Sequence, residues 1–219
     1  MGLNGLKMKL LAISVGKSRQ IEYNNRSITT GIYKHPIEGP VRISASGLEG
    51  DIQVDRKNHG GPDKAIYAYT VENYRYWESV LESAEFPYGQ FGENFSVSGM
   101  PDDFVHIGDI FRMGRTLVQV TQPRVPCFKL GIKMGDPGFV DRFLRSGRVG
   151  FYLRVLEGGK VEVGDSITKI EENASRLNIR DCMLALIKGP RQHEIIEQAL
   201  TIKALSEAWK KDLQHRRKP

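Results

Sequence analysis

The chain has little cysteine and no long apolar run, and each absence excludes classes of protein. Two cysteines among 219 residues argue against a disulfide framework and predict a reducing compartment. They also cannot supply an iron–sulfur cluster or an all-cysteine zinc site on their own. No stretch approaches the roughly 20 apolar residues of a membrane span, and the amino terminus lacks the pattern of a secretory signal. We therefore expect a cytoplasmic protein without a membrane anchor.

Two phosphate-binding motifs are also absent. The sequence contains no G-x-G-x-x-G dinucleotide fingerprint, and Ser14-Val15-Gly16-Lys17 lacks the spacing of a P-loop. Lys17 nevertheless follows a predicted strand, where its ammonium group can meet an anion. The net charge of +6 favours a ligand that carries phosphate, either a nucleic acid or a small phosphorylated cofactor.

The apolar pattern predicts a mainly β protein. Short segments rich in β-branched residues recur between glycine-rich turns, which is typical of a barrel or a sandwich. Gly158-Gly159 predicts a hairpin between the last two of these strands. The predicted strands are 9–15, 27–32, 41–45, 65–69, 94–97, 109–113, 116–121, 150–156 and 160–163.

Helical periodicity interrupts the strands twice and dominates after residue 171. Apolar residues at three- and four-residue steps predict helices near 71–81 and 139–144. Asp136 is the expected N-cap of the second helix, and Gly147 follows its end. Their aromatic residues are expected to face inward, which argues against a nucleic-acid-binding barrel with exposed stacking rings.

Three short helices follow the strands, the first opened by a capping pair, Asn178 and Asp181. The sequence therefore predicts a β domain over residues 1–170 and a small three-helix domain over residues 171–219. Helices this short need a surface to pack against, which is either the β domain or a second subunit of a homodimer.

Cys127 ends the stiff segment Gln122-Pro123-Arg124-Val125-Pro126-Cys127. Proline fixes its own backbone and biases the preceding residue toward an extended conformation, so the thiol can be displayed to an external ligand. The alternative is a small buried apolar residue, which describes most free cysteines. If displayed, the thiolate suits a sulfur-loving metal.

A second constellation runs from Gly47 to Ala65 and contains His59-Gly60-Gly61. Consecutive glycines let a backbone approach a ligand closely, and Arg56 and Lys64 flank them with charge suited to a phosphate. The alternative is a solvated turn before a strand. His59 and Cys127 also form a possible thiolate–imidazole pair, although the sequence gives no distance between them.

Four blocks together resemble the MOSC domain family, and among its members the stand-alone YiiM type. The resemblance covers most of residues 9–170. The blocks are Gly47-Leu48-Glu49-Gly50-Asp51 with His59-Gly60-Gly61-Pro62-Asp63-Lys64-Ala65, Phe91-Gly92-Glu93-Asn94, Gly108-Asp109, and Gln122 to Leu130.

The resemblance implies a β-barrel with a three-helix annex that binds the molybdenum cofactor, a molybdopterin that carries phosphate. By this resemblance Cys127 ligates molybdenum, and His59 with nearby basic residues lines the anion pocket. An imidazole can also donate a proton as the N–O bond breaks, which is the usual general-acid role. Asp51 and Asp55 are expected to orient the basic loop rather than take part in the chemistry. The other cofactor-binding residues expected are Lys17, Arg56, Gly60, Gly61, Lys64, Asn94, Arg124 and Arg148. The two arginines at positions 124 and 148 contact the cofactor phosphate or brace their loops.

The implied reaction is reduction of N-hydroxylated compounds, such as 6-N-hydroxylaminopurine-type bases, to amines. The chain carries no redox module of its own, so electrons are expected from a separate flavin or iron–sulfur reductase. The alternative function is a molybdenum cofactor carrier or sulfur-relay protein. The resemblance also implies kinship with proteins that bind pyridoxal phosphate.

Overall fold

The computed structural model describes residues 7–55, 60–83, 85–188 and 192–216. Within these residues the chain forms thirteen β-strands and six α-helices. The strands are β1 Lys9–Gly16, β2 Arg19–Tyr23, β3 Arg26–Thr30, β4 Lys34–Pro36, β5 Val41–Ser44, β6 Gly47–Leu48, β7 Ile66–Thr70, β8 Phe95–Ser98, β9 Ile110–Met113, β10 Thr116–Pro123, β11 Phe151–Glu157, β12 Gly159–Val161 and β13 Ile167–Glu171. The helices are α1 Val71–Val80, α2 Phe128–Met134, α3 Phe139–Ser146, α4 Ile179–Lys188, α5 His193–Thr201 and α6 Glu207–Arg216.

Eight strands form one sheet in the order β13-β9-β10-β11-β7-β8-β1-β4. Every pairing in it is antiparallel except β7 with β8, which are parallel and connected through α1. A three-stranded sheet, β12-β5-β6, and the separate hairpin β2-β3 complete the β structure of the described residues. The described residues are therefore sheet-rich, as predicted, but with six helices they form a mixed fold rather than a mainly β one.

The closed barrel expected from the resemblance is not confirmed, because the sheet does not close through a continuous ladder. One edge of β1 is divided between two neighbours. Its last three residues pair with β4, whereas Leu10 N donates to Asp165 O and Ile167 N donates to Met8 O, both at 3.0 Å. The β13 end of the sheet thus meets β1, the strand next to the other end, through these hydrogen bonds and an isolated bridge between Lys9 and Ser166.

An aromatic cluster joins the sheet to α1 and α3. Tyr69 on β7 stacks against Phe143 with ring centroids 5.8 Å apart, and Trp77 Nε1 donates to Tyr69 Oη at 2.9 Å. Phe91 and Phe139 complete the cluster and are fully buried. The inward orientation predicted for these aromatic faces is confirmed.

Two local predictions were wrong. Strand β12 pairs with β5 rather than with β11, and a side chain at Gly158 would lie 2.9 Å from Ile43 O, so this glycine allows two strands to approach. Helix α3 begins at Phe139 with Gly138 at the N-cap position. Asp136 instead accepts a hydrogen bond from Gly138 N at 2.8 Å, in the preceding turn.

The three carboxy-terminal helices lie where the sequence predicts them. Asn178 Oδ1 accepts from Asp181 N at 2.7 Å, as expected of a capping pair. The buried residues Trp209 and Leu213 belong to the same hydrophobic cluster as the sheet, and Ser206 N donates to Thr121 O on β10. The three helices therefore pack against the sheet, and a separate three-helix domain is not confirmed. The domain boundary after residue 170 stays a prediction. None of the described helices is long and apolar enough to cross a bilayer.

Candidate functional site

A pocket opens beside the start of α2, and its walls come from several separate parts of the chain. Residues of the segments 30–34, 51–55 and 124–129 line it, together with side chains from β7, β11 and the segment before β8. Its space, including the open mouth, is about 640 Å³. Because this figure counts open solvent, the enclosed part is smaller than a typical small-molecule site of about 300–1,000 Å³. A ligand held here would therefore extend through the mouth of the pocket.

Cys127 lies in this pocket wall at the point where an extended segment becomes a helix. Its backbone is extended, with φ −119° and ψ 170°, and α2 begins at the next residue. The thiol is free and partly exposed. Cys182, by contrast, is fully buried on α4, and burial raises the pKa of its thiol. The two cysteines therefore divide into one pocket residue and one core residue.

Arg124 provides a buried cation at the back of the same pocket. Its guanidinium carbon lies 4.9 Å from the ring centroid of Tyr67 and 5.7 Å from that of Phe143. Only 5% of the residue is exposed, yet Nη1 has no hydrogen-bond acceptor in the described part of the chain. A buried donor without a partner costs about 1–3 kcal/mol, and a bound anion would satisfy it.

Lys34, Asp51 and Asn94 form a hydrogen-bonded group that also lines the pocket. Asp51 Oδ1 accepts from Lys34 Nζ at 2.5 Å and from Gly16 N at 2.8 Å. Asp51 Oδ2 accepts from Asn94 Nδ2 at 2.9 Å. Burial lowers the pKa of Lys34, and the nearby carboxylate of Asp51 partly offsets that effect.

Two further lysines line the pocket. Burial lowers the pKa of Lys64, against the attraction of Asp212 and Asp63. Lys129 Nζ donates to Thr29 O at 3.2 Å. With Lys34 and Arg124, four basic side chains line the described wall against the two carboxylates of Asp51 and Asp55, so the pocket favours an anion.

The β2-β3 hairpin lies against this site. Tyr23 on β2 stacks on Phe128, the residue after Cys127, with centroids 5.0 Å apart. Asn24 and Asn25 at the hairpin tip have φ of 50° and 58°, the left-handed geometry of a two-residue type I′ turn. The hairpin therefore rests on the first turn of α2.

Four of the expected metal- and cofactor-binding residues line the pocket together, Cys127, Arg124, Lys64 and Asn94. Asp51 and Asp55, expected to orient the basic loop, line it as well. Lys17 is exposed just after β1 and does not line the pocket. Gly60 and Gly61 also lie outside the lining, and a side chain at Gly61 would meet open space. His59 and Arg56 lie outside the described residues.

Arg148 was expected to bind the cofactor but does not line the pocket. Its guanidinium lies 4.4 Å from the ring centroid of Tyr76, and Nη1 donates to Asn73 Oδ1 at 3.3 Å.

Sequence reasoning overlooked the pocket residues Lys34, Lys129, Tyr67 and Tyr152. A buried lysine carries no local motif, so no sequence signal could have identified Lys34.

The described residues contain no group of three histidine, cysteine or acidic side chains that could hold a metal ion. Within the described wall, Cys127 is the soft ligand offered to a metal. Any metal in this pocket would therefore need most of its ligands from another molecule.

Comparison with known proteins agrees with this architecture. A family model described as MOSC domain matches residues 55–168. The uncharacterized protein YflK of Bacillus subtilis is 37% identical over 204 residues, covering 93% of this chain and 92% of that protein. The chain therefore belongs to the MOSC domain family.

Within the family the chain is of the YiiM type. The crystal structure of YiiM from Geobacillus stearothermophilus superposes with a TM-score of 0.81 and 34% identity, covering 96% of this chain and 100% of that chain. A protein of Gibberella moniliformis named reductase is 39% identical over 147 residues, which are 66% of this chain and 26% of that protein.

Proposed function

We propose that this protein binds the molybdenum cofactor in the pocket and reduces N-hydroxylated compounds to amines. The observation that carries the proposal is the presence of a partly exposed thiol, Cys127, and an unpaired buried donor, Arg124 Nη1, in one basic pocket. A ligand with both a thiol-seeking metal and a phosphate would satisfy both groups. Membership in the MOSC family and likeness to a reductase-named protein support the same assignment.

The residues present fit such a ligand. Arg124 is held by aromatic rings rather than by a carboxylate, so its charge is available for a phosphate, to which arginine can donate two parallel hydrogen bonds. Lys64 and Lys129 add positive charge to the wall. Cys127 would hold the metal through its sulfur. The chemistry that the cofactor supplies when bound is two-electron transfer to the N–O bond.

The chain's own residues bind the substrate and supply protons. Reduction of a hydroxylamine consumes two electrons and two protons and releases water. In this proposal the two electrons come from a separate flavin or iron–sulfur reductase. His59 was expected either to donate a proton as a general acid or to serve only as an anion ligand, and it lies outside the described residues.

The test is turnover of 6-N-hydroxylaminopurine by protein made in a host that builds the cofactor, with dithionite-reduced viologen as the electron source. We expect adenine from the wild type and none from Cys127→Ser. Cys182→Ala is the matched control, because it removes the core thiol and leaves the pocket intact. Full turnover by Cys127→Ser would contradict the ligand role, and bound pterin without any turnover would favour a cofactor carrier.

A further inference from the structure

Lys34 has the features of a proton donor that is aimed into the pocket. An ammonium group carries three N–H donors, and the described hydrogen bonds use one of them, to Asp51 Oδ1 at 2.5 Å. Lys34 is only 9% exposed and lines the pocket. Its remaining donors can therefore reach a group bound there without competition from bulk water.

The fold packs closely around Lys34 at two places, once against its side chain and once against its backbone carbonyl. A Cβ atom at Gly16 would lie 2.5 Å from Gly31 O and 3.2 Å from Lys34 Cγ, and one at Gly89 would lie 2.7 Å from Lys34 O. Both positions therefore require glycine for the strand that carries Lys34 to pack this closely. Asp51 then fixes the ammonium end, and its other oxygen is tied to Asn94.

Resting on the function proposed above, we propose that Lys34 is the catalytic proton donor to the oxygen that leaves the N-hydroxylated substrate, and that Asp51 is its positioning residue. The N–O bond breaks as two electrons arrive from the flavin or iron–sulfur donor protein. One Lys34 N–H proton joins the departing hydroxyl to make water, and a second proton, from solvent, completes the amine. Solvent then returns a proton to Lys34.

Lys34 suits this role better than the other buried cation. Arg124 keeps its proton throughout the accessible pH range, so it binds charge but does not deliver protons. Burial lowers the pKa of Lys34 toward the working pH, while Asp51 and Glu93 act in the opposite direction. Lys133 is the cation that faces Lys34 from α2, and it favours loss of a proton. A donor whose pKa lies nearer the operating pH transfers its proton more readily.

The experiment compares the pH dependence of kcat for the wild type, Asp51→Asn and the double variant Lys34→Met/Asp51→Asn, each made in a cofactor-producing host. The double variant removes both charges of the Lys34–Asp51 pair, so neither is left buried without its partner and the variant folds even if Lys34→Met alone does not. Molybdenum and pterin contents are measured for each protein. Lys203→Met is the control, since it removes an exposed lysine that does not line the pocket.

We expect the double variant to keep its cofactor and its KM but to lose kcat by about 10²–10⁴-fold, the usual contribution of a general acid. The wild-type kcat should fall on the alkaline side as Lys34 loses its proton. Asp51→Asn should move that fall to lower pH, because removal of the carboxylate lowers the lysine pKa further. A merely structural role for Asp51 would not move it.

Near-normal kcat with an unchanged pH profile in the double variant would overturn the proposal and point to His59 or a water molecule. Loss of cofactor from the double variant would also overturn it, by showing that Lys34 binds the cofactor. Failure of the underlying function looks different, since cofactor-loaded wild type would then give no turnover at any pH.

Discussion

The guanidinium carbon of Arg124 lies 4.9 Å from the ring centroid of Tyr67, while its Nη1 atom has no hydrogen-bond acceptor among the described residues. Cation–π contact contributes about 0.5–2 kcal/mol, which holds the charge in place without neutralising it. A protein that buries an arginine in this way keeps a binding site for an anion. An anionic ligand in the pocket would therefore accept a hydrogen bond from Arg124 and neutralise its charge.

Replacement of Arg124 by methionine should weaken cofactor retention. Each charge-assisted hydrogen bond contributes about 1.5–3 kcal/mol, so loss of one should weaken binding by about 10–150-fold. Pterin content after extensive dialysis measures the change. Arg148→Met is the matched control, because that guanidinium lies over Tyr76 outside the pocket. Equal pterin loss in both variants would argue against a specific role for Arg124.

Replacement of Gly16 by alanine should disturb the wall that carries Lys34. The new methyl group would lie 2.5 Å from Gly31 O, a backbone atom that cannot move aside cheaply. Overpacking of this kind lowers the free energy of unfolding by about 1–3 kcal/mol. Urea denaturation of the wild type and the variant measures the difference. Gly138→Ala is the control, since φ there is −72° and its nearest neighbour is a side-chain oxygen of Asp136. Equal stability of the two variants would contradict the packing argument.

Replacement of Phe128 by alanine should loosen the β2-β3 hairpin. An isolated two-stranded hairpin is marginally stable, and the stack with Tyr23 contributes about 0.5–1.5 kcal/mol beyond buried area. We expect faster limited proteolysis within residues 19–30. Leu156→Ala serves as the control, because Leu156 and Phe128 are both 43% exposed. Unchanged cleavage of the Phe128 variant would mean that other contacts hold the hairpin.

Asp102 should make stability depend on pH in the mildly acidic range. Burial raises the pKa of this carboxyl from 3.8 to about 6, although Asn73, Gly150 and Val149 donate hydrogen bonds that act in the opposite direction. Between these two values the native state binds more protons than the unfolded state, so the contribution of Asp102 falls as pH rises. Each pKa unit corresponds to about 1.4 kcal/mol.

The Asp102→Asn variant has no carboxyl group to ionise at this position, so it should lack this pH dependence. The free energy of unfolding of both proteins is to be measured between about pH 4 and pH 6, which are the ordinary and the raised pKa of Asp102. The same slope in wild type and variant would show that other groups control stability in this range.

Sequence patterns predicted much of the fold because most elements are locally encoded. Helix α1 shows helical periodicity, and the Asn178–Asp181 pair opens α4 as expected. The pairing of β12 with β5 could not be predicted, because Gly158-Gly159 satisfies the local pattern of a hairpin while a distant strand supplies the actual partner. The sequence likewise could not show that the sheet stays open as a ladder, because one edge of β1 bonds to residues more than 150 positions further along the chain.

The candidate site was predicted only where motifs mark it. Cys127 and Arg124 share one short segment with unusual proline spacing, and both line the pocket. Arg148 looks equivalent in sequence because it lies between two glycines, but the chain turns its side chain toward Tyr76. Lys34 and Asp51 are 17 residues apart, and only the tertiary fold shows that they form an ion pair.

The most direct test of the central claim is molybdenum per chain, measured by elemental mass spectrometry on wild type and Cys127→Ser from a cofactor-producing host. We predict close to one molybdenum per wild-type chain and a large loss in the variant, with circular dichroism unchanged. Wild-type protein without molybdenum, or a variant that retains it fully, would contradict the assignment of Cys127 as the residue that holds the metal.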